Sequence, residues 1–217
     1  MNFDPTRYYK NDQVAENYDK SRFNSLAGRV FERLEKNNIR KAFRDLPRGS
    51  TIVDVPCGTG RLAEVLLEDG FNVVGMDISP NMLGQAQKKL ERFGDRFTTR
   101  VANMLEPDAE LSAGPKYDAA LCARVLMHFP PAEQAVFLRN VAGLVSKRVV
   151  FTHSWSSAYQ HARRGLKRLL GHQRSVRYPL SRAGLAEVLS GAGLREQRKL
   201  RPCPPLTEEI IVTAAKE

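Results

Sequence analysis

The chain has 217 residues, with 34 Lys and Arg against 24 Asp and Glu, which gives a formal net charge of +10. A composition that is 42% hydrophobic and 27% charged is typical of a folded globule and argues against a disordered tail. The length suits one domain, and no apolar run approaches the roughly 20 residues that span a bilayer.

The N-terminal residues and the cysteines predict the cellular compartment. The first ten residues mix charged and aromatic side chains and lack the apolar core of a signal peptide. Cys57, Cys122 and Cys203 show neither a C-x-x-C nor a metal-ligand spacing. These features predict a reduced, cytoplasmic protein without disulfides, and the lack of a carboxylate–histidine cluster in the sequence predicts no metal site.

The positive charge is concentrated in one stretch. Residues 158–201 hold 11 basic and 2 acidic residues, a balance of +9, and the other 23 basic and 22 acidic residues leave +1. A protein that binds polyanions generally is expected to spread its charge over a face built from several elements. The charge therefore does not by itself indicate a nucleic-acid partner.

Strands and helices alternate along the chain. Asn24 is predicted to cap a helix to about Leu46, on which Leu26, Val30 and Phe43 are near helical spacing. Further strands are predicted at 51–55, 72–76, 97–101, 117–122 and 148–152, with helices at 61–68, 80–93 and 131–145. A helix at 182–192 and two strands at 194–200 and 210–214 follow, and the short loop between these strands predicts an antiparallel pair.

This order predicts an α/β fold with a Rossmann-like, doubly wound sheet. The sheet is expected to have seven strands, to be mainly parallel with an antiparallel last strand, and to carry helices on both faces. No linker divides the chain, so residues 1–217 are expected to form one domain. Its predicted parts are an N-terminal helical cap at 1–46, a cofactor-binding core at 51–155, a basic acceptor-side insertion at 156–180 and a C-terminal helix and strand pair at 181–217.

A glycine-rich turn joins the first strand to the next helix. Such a turn exposes backbone N–H groups at a helix N-terminus, where a ligand can approach closely. Gly58, Gly60 and Ala63 have the G-x-G-x-x-A spacing of a dinucleotide site, and Asp77 follows as a candidate ribose ligand. A tight strand-to-helix turn with no ligand is the alternative interpretation.

Asp54 distinguishes between a phosphate-containing cofactor and a cationic one. A carboxylate at the mouth of the loop repels a pyrophosphate and suits an ammonium or sulfonium cation. S-adenosylmethionine has both cationic groups, a ribose and no phosphate. The residues therefore favour this cofactor over NAD.

The loop and its neighbours resemble the class I S-adenosylmethionine-dependent methyltransferases. Asp54-Val-Pro-Cys-Gly-Thr-Gly60 is similar to motif I of that family, and Val74-Gly-Met-Asp-Ile-Ser79 is similar to motif II. The segment from Tyr117 to Phe129 resembles the strand-four motif. Val14 to Arg22 is similar to the N-terminal segment of small-molecule members, including the ubiquinone and menaquinone biosynthesis group.

The resemblance implies a role for individual residues in holding the cofactor. Asp54, Gly58 and Gly60 would hold its methionine end, and Asp77 its ribose hydroxyls. The adenine would lie near Ile78, Met82, Asn103 and Met104, and the methionine side would be lined by Cys122 to Arg124.

Three features depart from the family pattern or lie outside its motifs. Asn103 stands where many members have Asp, and its carbonyl oxygen can still accept from the adenine amine. Pro56 replaces the first glycine of motif I and removes one N–H donor. Tyr18 and Arg22 are candidate lid residues over the cofactor, with an ordinary aromatic contact and a solvated arginine as the alternative.

Methyl transfer from a sulfonium is an in-line displacement that depends mainly on positioning. A base is needed only where the acceptor proton must leave early. His128 and His153 follow apolar strands at the edge where α/β sites open, so they are the candidate catalytic residues; hydrogen-bonded rim residues are the alternative. Trp155 either faces the acceptor or fills the core.

The expected function is methyl transfer to a small-molecule or lipid-like, anionic acceptor. The alternatives are a nucleic-acid (RNA) methyltransferase, an NAD-dependent dehydrogenase and a non-enzymatic cofactor-binding regulator. Strand four lacks the Asn/Asp-Pro-Pro-Tyr stretch common in enzymes that methylate base amines. The basic residues of 158–177 would dock an anionic acceptor, contact a membrane surface peripherally, or form a solvated helix face.

Overall fold

The computed structural model describes residues 25–114, 116–156, 178–202 and 207–216. The helices are α1 (Leu26–Phe43), α2 (Arg61–Glu68), α3 (Pro80–Leu90), α4 (Ala109–Ala113), α5 (Pro131–Gly143) and α6 (Arg182–Gly191). The strands are β1 (Thr51–Asp54), β2 (Asn72–Asp77), β3 (Phe97–Val101), β4 (Tyr117–Cys122), β5 (Val145–Ser154), β6 (Leu194–Leu200) and β7 (Glu209–Lys216). Two 3₁₀ turns, Glu91–Arg96 and Leu126–His128, follow α3 and β4.

The seven strands form one sheet in the order β3-β2-β1-β4-β5-β7-β6. The first five strands are parallel, and β7 runs antiparallel to both β5 and β6. The predicted fold class is confirmed, including the antiparallel last strand. The chain crosses from one side of β1 to the other between β3 and β4, which opens a crevice at the carboxyl ends of β1 and β4.

Both faces of the sheet are covered, because successive strand residues point into different cores. On β1, Ile52 packs with α1, α2 and α3 on one face, and Val53 packs with α4, α5 and α6 on the other. On β7, Ile211 packs in the same core as Ile52, and Val212 packs in the same core as Val53. This near-continuous burial is the reason that the strands appear in the sequence as short apolar runs.

Several element boundaries differ from the prediction. Ser25, not Asn24, caps α1, because its side chain accepts a hydrogen bond from the Gly28 N–H at 3.0 Å. The start of α1 is also less buried than its spacing suggests, since Leu26 is 73% exposed. Helix α5 stops at Gly143 because Val145 joins the sheet opposite Tyr117. Helix α4 was not predicted, and Asp108 caps it.

Some predictions lie on residues that the structure does not describe: Tyr18, Arg22, Cys203 and most of the basic insertion. The division into domain parts and the cytoplasmic location stay predictions. Within the described ranges, no helix is both long and apolar enough to cross a membrane. The same residues contain no group of three or more His, Cys, Asp or Glu side chains that could hold a metal ion.

Candidate cofactor site and active site

A cleft lies at the carboxyl ends of β1, β2 and β4, where the strand order reverses. Its walls come from the loop after β1, the ends of β2 and β3, and the loop after β4. The predicted site residues that line it are Asp54, Pro56, Gly58, Asp77, Ile78, Met82, Asn103, Met104, Arg124 and His128. The sheet thus brings together predicted residues from four separate segments of the chain.

The glycine loop folds closely around the end of the sheet. Gly58 and Gly60 both have positive φ, at 54° and 76°. A Cβ on Gly60 would lie 2.7 Å from the Leu90 side chain of α3, whereas one on Gly58 would meet no atom within 4 Å. Gly60 therefore allows α3 to pack against the loop, and Gly58 leaves open space on the cleft side.

Asp77 joins the loop to the end of β2. Its two carboxylate oxygens accept hydrogen bonds from the Gly58 N–H and the Ser79 N–H, both at 2.9 Å. Burial raises the pKa of Asp77, and these backbone donors oppose the rise. Each carboxylate oxygen keeps a lone pair for a further donor, such as a ribose hydroxyl.

Asp54 is buried at the base of the cleft. Its side chain is 1% exposed, and its Oδ2 has no hydrogen-bond partner. Burial raises the pKa of Asp54 to about 8; the negative charge of Asp77 adds to the rise, and the Arg61 guanidinium opposes it. A buried carboxylate with a free oxygen is a costly feature unless a cation or donor completes it.

The loop after β4 is held by hydrogen bonds from the backbone and from the side chain of Arg124. This residue has a φ of 61°, and its backbone N–H donates to Thr152 Oγ1 at 2.9 Å. Its guanidinium Nε donates to Glu35 Oε1, also at 2.9 Å.

The two described cysteines are buried. Cys122 lies behind the cleft, and burial raises the pKa of its thiol and of the Cys57 thiol. Both cysteines therefore stay protonated.

Behind the cleft lies a buried charge cluster formed by Glu35, Arg61, Arg124 and Glu209. Arg61 Nη2 donates to Glu35 Oε2 at 2.7 Å, and Arg124 Nε lies 3.8 Å from Glu209 Oε1. Burial alone would raise the pKa of Glu35, but the two guanidinium groups outweigh it and hold this pKa below its usual value. Burial and the charge of Glu35 raise the pKa of Glu209 to about 8.

Sequence reasoning did not identify Glu35 or Glu209 as site residues. The only local signal is a carboxylate on the mainly apolar face of α1, near Leu34 and Ile39. Its partner Arg124 is 89 residues away in the chain. The cluster connects α1 and β7 to the two loops that form the cleft.

The adenine-side residues predicted from the resemblance lie together. Ile78, Met82, Asn103 and Met104 all line one part of the cleft. Asn103 Oδ1 accepts from the Leu105 N–H at 3.1 Å, which fixes the side chain. Its second lone pair and its amide N–H groups are the groups that can meet an adenine edge.

The two candidate histidines have different environments. His128 is half-buried and lines the cleft, next to Phe129. His153 is fully buried, its Nε2 donates to Gln134 Oε1 at 3.0 Å, and its Nδ1 accepts from the Ser154 N–H at 2.8 Å. Burial lowers the pKa of His153 to about 4, so it stays neutral. Of the two candidate histidines, His128 lines the cleft and His153 is held in the protein interior.

The cleft fits a cationic, ribose-bearing ligand. Asp54 offers an unsatisfied oxygen, Gly58 leaves space, and Asp77 presents oxygens at the end of β2. A pyrophosphate in the same position would face the Asp54 carboxyl. These are properties of the chain's own residues, and they agree with S-adenosylmethionine as the cofactor.

Comparisons with known proteins show what the chain is similar to. Residues 53–151 match a family model described as a methyltransferase domain. Magnesium-protoporphyrin O-methyltransferase of Synechocystis is 26% identical over 147 residues, which are 57% of this chain and 61% of the relative. Ubiquinone biosynthesis O-methyltransferase of Vibrio parahaemolyticus is 29% identical over 149 residues, 67% of this chain and 60% of the relative. The chain thus spans about three fifths of these two relatives.

Solved structures share the fold. A magnesium protoporphyrin IX methyltransferase from Synechocystis with bound S-adenosylhomocysteine superposes with a TM-score of 0.70 at 21% identity, over 89% of this chain and 88% of that one. A Burkholderia thailandensis 1,6-didemethyltoxoflavin-N1-methyltransferase gives 0.66 at 18% identity, over 100% and 92%. Together the comparisons confirm the predicted fold and the predicted resemblance to methyltransferases.

Proposed function

We propose that this chain, whose residues 53–151 match a methyltransferase domain and which resembles the class I S-adenosylmethionine-dependent family, methylates a small anionic molecule. The observation that carries the proposal is the buried Asp54 carboxyl, with its unpartnered Oδ2, at the base of a glycine-loop cleft. An uncompensated carboxyl in that position is explained by a cation that binds beside it.

The chain's residues hold and orient the cofactor. Asp54 pairs with its cationic end, Asp77 accepts from its ribose hydroxyls, and Asn103 with Met104 lies against its adenine. When bound, the cofactor supplies a methyl group already activated on a sulfonium. The protein therefore contributes mainly alignment, because an in-line displacement needs the acceptor atom opposite the leaving sulfur.

His128 is the described side chain best placed to move a proton. It stands on the cleft wall at the end of the turn after β4, on a rim held by the hydrogen bond from its own N–H to the Val125 carbonyl at 3.0 Å. A neutral imidazole there accepts a proton from an acceptor hydroxyl or amine as the methyl group arrives. For an acceptor already ionised, His128 would only orient it.

The acceptor class is supported by charge and by the relatives. The curated relatives and the solved neighbours carry names that refer to protoporphyrin, glycine, ubiquinone and toxoflavin, all small molecules. The +9 balance of residues 158–201 lies on the acceptor side of the sequence and favours an anionic, lipid-like or carboxylated molecule. A nucleic-acid acceptor has no comparable support, since the cleft half of the chain is nearly neutral.

Ligand-dependent thermal unfolding tests the proposal. S-adenosylhomocysteine at about 100 times its dissociation constant should stabilise the protein by roughly 2.7 kcal/mol, and NAD at the same concentration should not. Asp77→Ala should abolish the shift, whereas Asp69→Ala, at the far end of α2, should keep it. Absence of a shift with S-adenosylhomocysteine would refute the proposed function. Mass spectrometry of extracts incubated with enzyme and cofactor then identifies the methylated acceptor.

A further inference from the structure

A cluster of one tryptophan and two cations lies at the end of β5 and β6, outside the cofactor cleft. Lys199 Nζ lies 5.1 Å from the centre of the Trp155 ring, and the Arg201 guanidinium carbon lies 5.4 Å from it. Trp155 is half-buried and packs against the α5–α6 core, and Arg201 is exposed. Cation–aromatic contacts of this kind hold long basic side chains in place.

The sheet places this cluster on the same edge as the cleft. Strand β6 is antiparallel to β7, which is antiparallel to β5, so β6 ends at the edge where β4 and β5 end. Lys199 is paired with Val212, whose side chain lies in the core beneath α5 and α6. Lys199 therefore lies on the α5–α6 face of the sheet. Phe129 and Phe137 pack on the same face. Phe129 and Phe137 themselves line the cleft.

The cluster keeps a net positive charge. Lys199 forms an ion pair with Glu196 at 3.1 Å, which balances one of the two cations. For Arg201, the structure records the Trp155 ring and no carboxylate partner in the described part of the chain. An exposed guanidinium held over an aromatic ring is a ready partner for a carboxylate or phosphate, which it can bind with two hydrogen bonds.

The position of the cluster sets the reach that the ligand needs. Trp155 follows β5, which is next to β4, and both cationic groups lie within 5.4 Å of the centre of its ring, although β6 itself is three strands from β4. The cluster is therefore one to two strand spacings, about 5–10 Å, from the loop after β4. A molecule with a ring and a short acidic side chain spans this distance.

We propose that Trp155, Lys199 and Arg201 form the subsite that recognises the anionic group of the acceptor, a carboxylate at the end remote from the methylated atom. This rests on the proposed function and deepens it, because it selects an acceptor that carries an acidic group at a distance from the methylated atom. Trp155 orients the cations, and Arg201 is the main specificity residue.

Fluorescence titration with pyrenebutyrate, and with neutral pyrenebutanol as the matched probe, tests the subsite. The acid should bind wild-type protein more tightly than the alcohol. The double variant K199Q/R201Q should weaken the acid about tenfold and leave the alcohol unchanged. The control R195Q/R198Q removes the same charge from the same strand, at positions paired with Ala215 and Thr213 on the other face, and should keep wild-type affinity.

The outcomes distinguish this inference from the proposed function. Equal binding of acid and alcohol, no binding of the acid, or equal losses in both double variants overturns the subsite. So does a K199Q/R201Q protein that keeps its affinity for the acid but loses binding to phosphatidylglycerol vesicles, which would assign the cluster to a membrane surface. S-adenosylhomocysteine binding is measured in each variant: its persistence leaves the proposed function intact, and its absence from the wild type refutes that function separately.

Discussion

At the residue scale, the buried Asp54 couples cofactor binding to pH. Its pKa is about 8 in the free protein because burial disfavours the charged form. A cation bound beside it favours the ionised carboxylate, so binding below about pH 8 should release a proton. The affinity for S-adenosylhomocysteine should therefore rise with pH, by at most about tenfold per unit, and level off above this pKa.

Calorimetric titration in two buffers of different ionisation enthalpy measures this released proton. Asp54→Asn cannot ionise, so its binding should lose the component of the pH dependence that Asp54 causes. The amino group of the ligand titrates equally in both proteins, which makes the difference between them the informative quantity. The same proton count for wild type and variant would contradict a role for Asp54 in holding the cation.

The two loop glycines give a second residue-scale prediction, because only one of them is sterically confined. An alanine at either position would have a left-handed φ, which costs about 1–2 kcal/mol. At Gly60 the new Cβ also meets Leu90 at 2.7 Å, whereas at Gly58 it meets open space. Gly60→Ala should lower the free energy of unfolding by more than Gly58→Ala, as urea denaturation can measure, and equal losses would show that α3 moves freely.

At the element scale, α1 is held to the cleft by its buried carboxylate. Glu35 pairs with Arg61 at the start of α2 and with Arg124 after β4. Glu35→Ala would remove the carboxylate that both guanidinium groups bind most closely, and breaking a buried pair typically costs about 3–5 kcal/mol. Glu35→Gln keeps hydrogen-bonding groups at this position and should cost less.

Urea denaturation of the purified variants measures this cost. Glu68→Gln is the control, since it removes a carboxylate of α2 whose ion pair with Arg40 of α1 is exposed and lies outside the cluster. Such an exposed pair contributes about 0.2–1 kcal/mol. If Glu35→Ala were no more destabilising than Glu68→Gln, the buried cluster would not hold α1 in place.

Glu209 adds a pH dependence to the same cluster. Its pKa is raised to about 8 in the folded protein, from 4.5 in an ordinary glutamate. The folded state therefore retains a proton that the unfolded chain loses, and this contribution to stability is present at low pH and fades as pH rises through the folded pKa. Glu209→Gln should gain stability relative to wild type between about pH 5 and 8, which denaturation at both ends of that range measures.

At the scale of the whole molecule, local patterns in the sequence predicted the sheet and the cofactor loop. Asp54, Gly58, Gly60 and Asp77 lie on strand ends and turns whose conformation depends on neighbouring residues. The crevice then follows from the alternation of strands and helices, since parallel strands end at one edge.

The charge cluster and the Trp155 cluster could not be predicted in this way. Glu35 and Arg124 meet because α1 packs beside the loop after β4, 89 residues away in the chain. Trp155 and Arg201 meet because β5, β6 and β7 pair with one another. No local periodicity in the sequence indicates these long-range contacts. His153 shows the converse: its place after an apolar strand is typical of a site residue, yet its ring is fully buried against Gln134.

The uneven distribution of charge over the whole molecule predicts how activity responds to salt. Nearly all of the +10 lies in residues 158–201, and the cofactor-binding half is close to neutral. A nucleic-acid enzyme that makes several phosphate contacts would lose about 10³-fold or more in affinity between about 50 and 200 mM salt. A small acceptor with one acidic group makes one or two such contacts, so its KM should rise only several-fold over this range. Methyl transfer to the identified acceptor, measured against salt concentration, decides between these two behaviours, and a steep loss would favour a polyanionic acceptor bound along the basic residues.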